Sequence, residues 1–254
     1  MEARYEEAAR LIRERGGAVA FTGAGISVEA GIPAFRGAQG LWEKYDPAEY
    51  AEIRAFLRSP EKVWHMLREM GDVILRAEPS PAHRALGVLE KAGLLNAVIT
   101  QNVDGLHQLA GNVNVIEYHG NHRRLVCLGC SYTGPFTEES IKARPYPVCG
   151  RCQKPLKPDA VFFGEPIPAA ASIRASREAA HCNVMIIVGT SGVVYPAAEL
   201  PLMARERGAA IIEINVSPTP FTSSIADCFL EGSASTVLPR VLNELGLTGQ
   251  ELGL

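Results

Sequence analysis

Apolar residues recur at helical spacing from the start of the chain: Ala8, Ala9, Leu11 and Ile12 predict a helix over Glu2–Arg15, closed by Gly16 and Gly17. The run AVAFT (Ala18–Thr22) then predicts a short buried strand. Gly23 and Gly25 follow, with a helical turn near Ile26, a strand–glycine loop–helix unit of the kind that cradles phosphates. Residues 37–78 keep a helical period, rich in charge and aromatics and punctuated by Pro47 and Pro60; Pro79 and Pro81 mark the exit. A helix over 83–92 stops at Gly93. NAVIT (96–100) reads as a second buried strand before the polar loop QNVDG, and NVIEYHG (114–120) as a third. Between 122 and 158 the apolar rhythm disappears, and the stretch reads as an inserted module. Strand pattern returns in DAVFFGE (159–165), NVMIIVGTS (183–191) and AAIIEINVS (209–217), and a final helix is expected over 236–245. Strands alternating with helices give an α/β class with a mostly parallel sheet. The expected division is a large domain of residues 1–36, 79–121 and 159–254, with 37–78 and 122–158 forming a small one.

Composition narrows the class little further. With 47% apolar and 21% charged residues, the 254-residue chain reads as an ordinary globular protein able to bury a large core. Net charge is −3 and no long basic run exists, so nothing points to nucleic acid or an anionic membrane as partner. The first residues are too charged for a secretory signal, and no stretch approaches the ~18 apolar residues of a membrane span. A cytoplasmic monomer is expected.

Four of the six cysteines form two pairs, Cys127-x2-Cys130 and Cys149-x2-Cys152, separated by 18 residues. This is zinc-ribbon spacing: two tight turns, each with a glycine (Gly129, Gly150), can converge four thiolates on one ion. Four sulfur ligands close the coordination sphere, so this zinc is expected to be structural. Cys182 and Cys228 stand alone beside apolar runs and read as small buried fillers. Arg123, Arg124, Lys142, Arg144 and Arg151 make the module locally basic, which balances an anionic tetrathiolate.

Four loops at strand ends carry polar chemistry. In the first, Gly23 and Gly25 let backbone approach a diphosphate, but Val28 stands where the dehydrogenase fingerprint wants a third glycine. Phe35 is either an aromatic lid or core, and Arg36 either a diphosphate contact or a surface charge. The second, Gln101-Asn102-Val103-Asp104, offers amides and a carboxylate suited to ribose hydroxyls and a carboxamide. The third, Gly189-Thr190-Ser191, offers backbone amides and hydroxyls for phosphate, and Asn215 ends a fourth strand. His119, at a strand end just before the cysteine module, suits proton removal near neutral pH. His65, His83, His107, His122 and His181 have no comparable placement.

Taken together, GAGIS at 23–27, GIPAFRG at 31–37, TQNVDGLH at 100–107, HG at 119–120, the cysteine pairs, FGE at 163–165, GTS at 189–191, VYPA at 194–197 and IN at 214–215 make the chain closely resemble the sirtuins. The resemblance implies a Rossmann-like parallel-sheet domain with a smaller zinc-ribbon plus helical insert domain. It implies NAD as co-substrate, held by Ala24, Gly25, Ser27, Phe35, Arg36, Gln101, Asn102, Asp104, Gly189, Thr190, Ser191, Asn215 and Ala234. The implied reaction is NAD-dependent protein-lysine deacetylation giving lysine, nicotinamide and O-acetyl-ADP-ribose, with His119 as general base and Asn102 and Asp104 orienting ribose, nicotinamide and water. An acetylated peptide would add as a β-strand between Val161, Phe162, Phe163, Gly164 and Glu165 on one side and Val193, Val194 and Tyr195 on the other. Two departures stand out. Gly192 replaces a common apolar residue after GTS, which puts the rigidity of the peptide loop in doubt. Leu67 and Met70 occupy the positions of the Tyr-x-x-Arg pair found in the branch that removes succinyl and malonyl groups, so acidic acyl groups are expected to be poor substrates. A nicotinamide-linked dehydrogenase, a non-catalytic zinc-ribbon module and a mono-ADP-ribosyltransferase are the rival readings.

Overall fold

The computed structural model describes residues 2–35 and 40–247. Nine strands are present among them: β1 (Ala18–Thr22), β2 (Leu95–Thr100), β3 (Val115–Glu117), β4 (Gly120–Cys127), β5 (Thr133–Pro135), β6 (Leu156–Ala160), β7 (Val184–Val188), β8 (Ala210–Asn215) and β9 (Cys228–Glu231). Six of them form one sheet in the order β3-β2-β1-β7-β8-β9, every pair parallel. The remaining three form an antiparallel sheet, β5-β4-β6.

The parallel strands read as apolar runs because both faces of the sheet are covered. In β7, Val184, Ile186 and Val188 pack on one side with the helices Glu2–Arg15, Pro81–Lys91 and Ala234–Glu244. Met185 and Ile187 pack on the other, with Ala175 and Ala179 of the helix Ala169–His181 and Leu200 and Ala204 of the helix Glu199–Glu206. Burial of each such branched side chain stabilises the fold by about 1.5–3 kcal/mol before entropy is counted. This is the expected α/β architecture: a Rossmann-like sheet carrying a second, smaller body.

That smaller body has its own core. The helix Pro60–Arg76 contributes Val63, Trp64, Leu67, Met70 and Ile74, and the antiparallel sheet contributes Leu125, Cys127 and Leu156. Trp64 stacks on Phe136 with ring centroids 6.0 Å apart and donates its indole N–H to the Leu156 carbonyl at 2.8 Å. The helix Pro60–Arg76 and the antiparallel sheet therefore share one apolar interior.

Two expected strands end differently. NVIEYHG pairs only over Val115–Glu117; the chain then turns at Tyr118 and His119, and Gly120 (φ +77°) starts β4 in the other sheet. A Cβ at Gly120 would lie 2.0 Å from the Asp159 carbonyl oxygen, so only glycine fits. DAVFFGE is a strand only to Ala160, and it belongs to the antiparallel sheet, where the edge position of β6 tolerates Pro158. Residues 161–165 leave it for a turn with Gly164 at φ +84°, held by a bridge between Glu52 and Phe163. β4 and β6 also run through the expected boundaries at 121/122 and 158/159. β4 carries Asn121, His122, Arg123 and Arg124 and β6 carries Lys157, Pro158 and Asp159, so no continuous apolar run announces them. Among the described residues, no helix is long and apolar enough to cross a membrane.

Candidate active site

The strand order reverses between β1 and β7, and a crevice opens beyond their carboxyl ends. Backbone bonds stitch the loops there: Gly23 N–H donates to the Val188 carbonyl (3.0 Å), Gly25 N–H to the Gly189 carbonyl (2.8 Å) and Gly189 N–H to the Ile214 carbonyl (3.0 Å). The glycines permit this contact. A Cβ at Gly25 would stand 2.7 Å from Gly189 Cα, and one at Gly189, which also has φ +59°, 2.6 Å from the Ile26 nitrogen. The first loop forms two single 3-10 turns, Ala24–Ile26 and Val28–Ala30, where one helical turn was expected.

Behind the crevice lies a buried polar network. Thr22 donates its hydroxyl hydrogen to Thr100 Oγ1 (2.8 Å), and Thr100 Oγ1 also accepts the Asn102 backbone N–H (3.0 Å). Asn102 Nδ2 donates to the Gly23 carbonyl (3.1 Å) and to Ser27 Oγ (3.0 Å). Ser27 donates to Asp104 Oδ2 (2.7 Å), and Asp104 Oδ1 accepts the Leu106 N–H (2.9 Å). His83 Nδ1 accepts the Ser80 N–H (3.2 Å), so the neutral ring carries its proton on Nε2, facing Ser27 Oγ at 3.4 Å. Burial holds the His83 pKa down at about 2, helped by neighbouring His107, whose own pKa burial lowers to about 4. Burial pushes the Asp104 carboxyl up, opposed by the Leu106 N–H, the Ser27 hydroxyl and Arg123.

His119 sits where the crevice meets the smaller body. Its Nδ1 donates to the Gln101 carbonyl at 3.1 Å, because a carbonyl can only accept; Nε2 is thereby left as the basic nitrogen. Burial lowers its pKa, with the Gln101 carbonyl opposing. Gln101 in turn donates from Nε2 to Thr190 Oγ1 (2.9 Å), and Asn215 Nδ2 donates to the Thr190 carbonyl (2.9 Å).

One cavity of about 890 Å³ gathers these elements. Its walls include Ala24, Gly25, Phe35, Gln101, Asn102, His119, Gly189, Thr190, Ser191, Asn215 and Ala234 of the expected cofactor and catalytic set. Ser27 and Asp104 stand one layer behind, both buried and engaged with each other. Arg36 lies outside the described residues. Of the expected peptide segments, Val161, Phe162, Phe163, Gly164, Glu165, Val194 and Tyr195 also line the cavity, while Val193 is half exposed beside it. Gly192 has φ +69°, and a Cβ there would strike the Phe221 ring at 2.8 Å. Phe221 thus supplies the apolar packing that a side chain after Ser191 would otherwise bring.

Phe35 stacks on Trp42 (5.3 Å, 27°) at the cavity wall. Met66, Leu67, Met70 and Ile74 line a second, apolar region of the same cavity, together with Val103, Ala160, Phe162 and His122. Arg68 is turned away and donates to the Ala143 and Pro145 carbonyls. Sequence reasoning missed His83, His107 and His122, all buried beside the site, because their partners lie far off along the chain. The pairing of Ser80 with His83 at capping-box spacing was a local signal for one of them.

The four cysteine sulfurs all lie within 4.8 Å of one another. Two of the separations, Cys127–Cys152 and Cys130–Cys149, are 3.4 and 3.5 Å. Sulfurs bound to one tetrahedral zinc at about 2.3 Å would stand roughly 3.8 Å apart, so the set fits a single ion and leaves no open position. The two turns are alike. Ser131 N–H donates to the Cys127 carbonyl and Gln153 N–H to the Cys149 carbonyl, and the left-handed positions fall on Ser131 (φ 54°) and Gln153 (φ 60°), not on Gly129 or Gly150.

With this crevice, its half-buried histidine and the separate four-cysteine cluster, the chain matches the Sir2 family over residues 23–196 and belongs to that family. An "NAD-dependent protein deacylase" of Pyrococcus abyssi is 47% identical, covering 94% of this chain and 97% of its own. A solved "Sir2 homolog-NAD complex" is 43% identical with a TM-score of 0.88, over 96% of this chain and 95% of that one. A Sir2 variant bound to deacetylated p53 peptide and 3'-O-acetyl ADP ribose is 38% identical with a TM-score of 0.90, over 95% and 98%.

Proposed function

We propose that this chain is an NAD-dependent protein-lysine deacylase that favours acetyl-lysine and uses His119 as its general base. The observation that carries the reading is the fixed tautomer of His119. Its Nδ1 is committed to the Gln101 carbonyl, and Nε2 remains as an acceptor between the glycine crevice and an apolar chamber. NAD, when bound, supplies a ribose carbon from which nicotinamide can depart and a hydroxyl-bearing ribose that receives the acyl group. Ala24, Gly25, Phe35, Arg36, Gln101, Gly189, Thr190, Ser191, Asn215 and Ala234 would hold it. Asn102 would orient the reacting ribose, while Ser27 and Asp104 fix Asn102 and its loop. His119 Nε2 would accept the proton of a ribose hydroxyl brought to it. Acylated peptide would add as a strand along residues 161–165 and 193–195, where the backbone edge gives affinity with little sequence selectivity. The small domain would be residues 37–78 with 122–158, built around one structural zinc.

The acyl preference follows from charge. Leu67 and Met70 line the chamber, and Arg68 is engaged elsewhere, so a succinyl or malonyl carboxylate would be buried without a partner. Acetyl should be removed best, propionyl and butyryl tolerated, and acidic groups removed poorly.

The test is incubation with NAD and a panel of acyl-lysine peptides, with products weighed by mass spectrometry. Free lysine, nicotinamide and O-acyl-ADP-ribose are expected; ADP-ribose attached to protein would mean a transferase instead. His119→Ala should lower turnover by about 10²–10⁴-fold with much of the NAD affinity kept. Because burial lowers the His119 pKa, the base stays neutral to lower pH than a free imidazole. The acid limb of kcat/KM should therefore fall below the ordinary value of about 6.5. Near-native deacylation by His119→Ala would remove this residue from the mechanism.

A further inference from the structure

One charged side chain is buried in β6, where an apolar one would pack. Lys157 is only 3% exposed. Taking an ammonium out of water is costly unless its donors all find partners. Here they do. Nζ donates to the Pro158 carbonyl at 3.0 Å, to the Ala160 carbonyl at 2.7 Å and to Glu165 Oε2 at 3.1 Å. The ammonium also stands 4.7 Å from the centre of the Phe162 ring. Burial lowers the Lys157 pKa, and the Glu165 carboxylate opposes the shift. These partners all belong to the stretch by which the chain leaves β6 and forms the turn of residues 161–165 at the cavity wall.

Glu165 Oε2 does a second thing: it accepts the Phe162 N–H at 2.8 Å. One carboxylate oxygen thus links the buried ammonium to the backbone of the turn. Three further amides of the turn are fixed within the protein. Val161 N–H donates to the His119 carbonyl (2.8 Å), Phe163 N–H to the Ala51 carbonyl (2.9 Å) and Glu165 N–H to the Phe162 carbonyl (2.9 Å). Among the described residues, the Gly164 N–H finds no backbone partner, and Gly164 is on the cavity wall, so this amide is left for an incoming carbonyl. We propose that Lys157 is a positioning residue for the acylated peptide, holding Glu165 against the end of β6 so that the turn 161–165 presents a fixed edge to substrate backbone. The inference rests on the deacylase reading above and adds a residue to its peptide site. Without the ammonium, the Glu165 carboxylate loses its cation, swings toward solvent and releases the Phe162 N–H. The glycine loops at 23–25 and 189–191 take no part in these contacts, so NAD binding is untouched.

The experiment compares steady-state constants for one acetylated peptide with NAD affinity measured by calorimetry. Lys157→Met, similar in length but uncharged, should raise the peptide KM by about tenfold or more, as loss of one partner from a buried charge pair does. kcat at saturating peptide and Kd for NAD should stay within about threefold of native, the split expected when only peptide binding is lost. Lys157→Arg, which keeps the charge, should recover most of the loss. Glu165→Gln removes the partner's charge but keeps an oxygen for the Phe162 N–H. Because Lys157 acts through Glu165, the variant carrying both Lys157→Met and Glu165→Gln should be no worse than Lys157→Met alone. It has no unpaired buried charge, so it also serves if the single variant folds poorly, again with peptide KM raised and NAD affinity native. A native peptide KM in Lys157→Met, a parallel loss of NAD affinity, or additive effects in the double variant overturns the proposal. Failure of the underlying reading looks different: the native protein itself would process no acylated peptide.

Discussion

The two cysteine turns and the glycine crevice are both tight backbone structures built to receive a charged guest, and they do it in opposite ways. The turns hold their guest with side chains. Their left-handed positions fall on Ser131 and Gln153, and a Cβ added at Gly150 would meet nothing within 4 Å. The crevice is made of backbone itself: Gly25 N–H donates to the Gly189 carbonyl, and a methyl group on either would strike main-chain atoms of the other loop. A guest held by side chains leaves its mark in residue identity and spacing. A guest held by backbone leaves only glycines, whose meaning depends on which other loop they touch.

Removing each element in turn sharpens this contrast. The largest effect should come from zinc. A structural ion of this kind contributes folding energy outright, so stripping it should unfold the antiparallel sheet and abolish peptide turnover, with a smaller loss in NAD affinity. Metal analysis, circular dichroism and calorimetric NAD titration read the three quantities. Full activity in protein holding less than roughly half an equivalent of metal would contradict a structural role.

Gly25→Ala should be next. Its Cβ would stand 2.7 Å from Gly189 Cα and 2.8 Å from the Gly189 carbonyl oxygen, neither of which can rotate aside. Strain of this kind costs about 1–3 kcal/mol, and NAD affinity should fall at least about tenfold. Zinc content should stay at one per chain. Native NAD affinity in this variant would show that the loops can part without loss. The smallest effect is expected at the glycine inside the second cysteine turn. Gly150→Ala meets open space and no left-handed backbone, so the unfolding free energy in urea should stay within about 0.5 kcal/mol of the native protein's and zinc content should stay at one per chain. A large loss there would mean that the turn, like the crevice, depends on a bare backbone.

The same distinction explains what could be read before the fold was known. The cysteine spacing named its four ligands without any knowledge of topology, and the long apolar runs of β7 and β8 announced buried parallel strands. β4 and β6 were hidden because polar residues and Pro158 interrupt their apolar positions although most of them are buried, and β9 because four residues carry too little period. The turn at Tyr118 and His119, which delivers the histidine, depends on Gly120 fitting beneath the Asp159 carbonyl, a contact between residues 39 positions apart. His83 and His107 looked unremarkable in sequence; their work is to close hydrogen bonds behind Ser27 and Thr22, from positions 56 and 85 residues away. Long-range satisfaction of buried polar atoms has no local signature.

The single strand that joins His119 to the metal has a practical consequence. Gly120–Cys127 begins directly after the histidine and ends on a zinc ligand. One extra residue inserted past the register shift at Asn121–Leu125, where Leu125, Val126 and Cys127 pair regularly with Pro158, Lys157 and Leu156, would send Cys127 to the opposite face and away from the other sulfurs. The stretch between Cys130 and Cys149 is under no such constraint. Beyond the short strand β5 it contains the five-residue helix Glu138–Lys142 and surface turns. A reporter or affinity peptide spliced into this protein therefore belongs between Cys130 and Cys149 rather than between Leu125 and Cys127, where an added residue would displace a sulfur ligand.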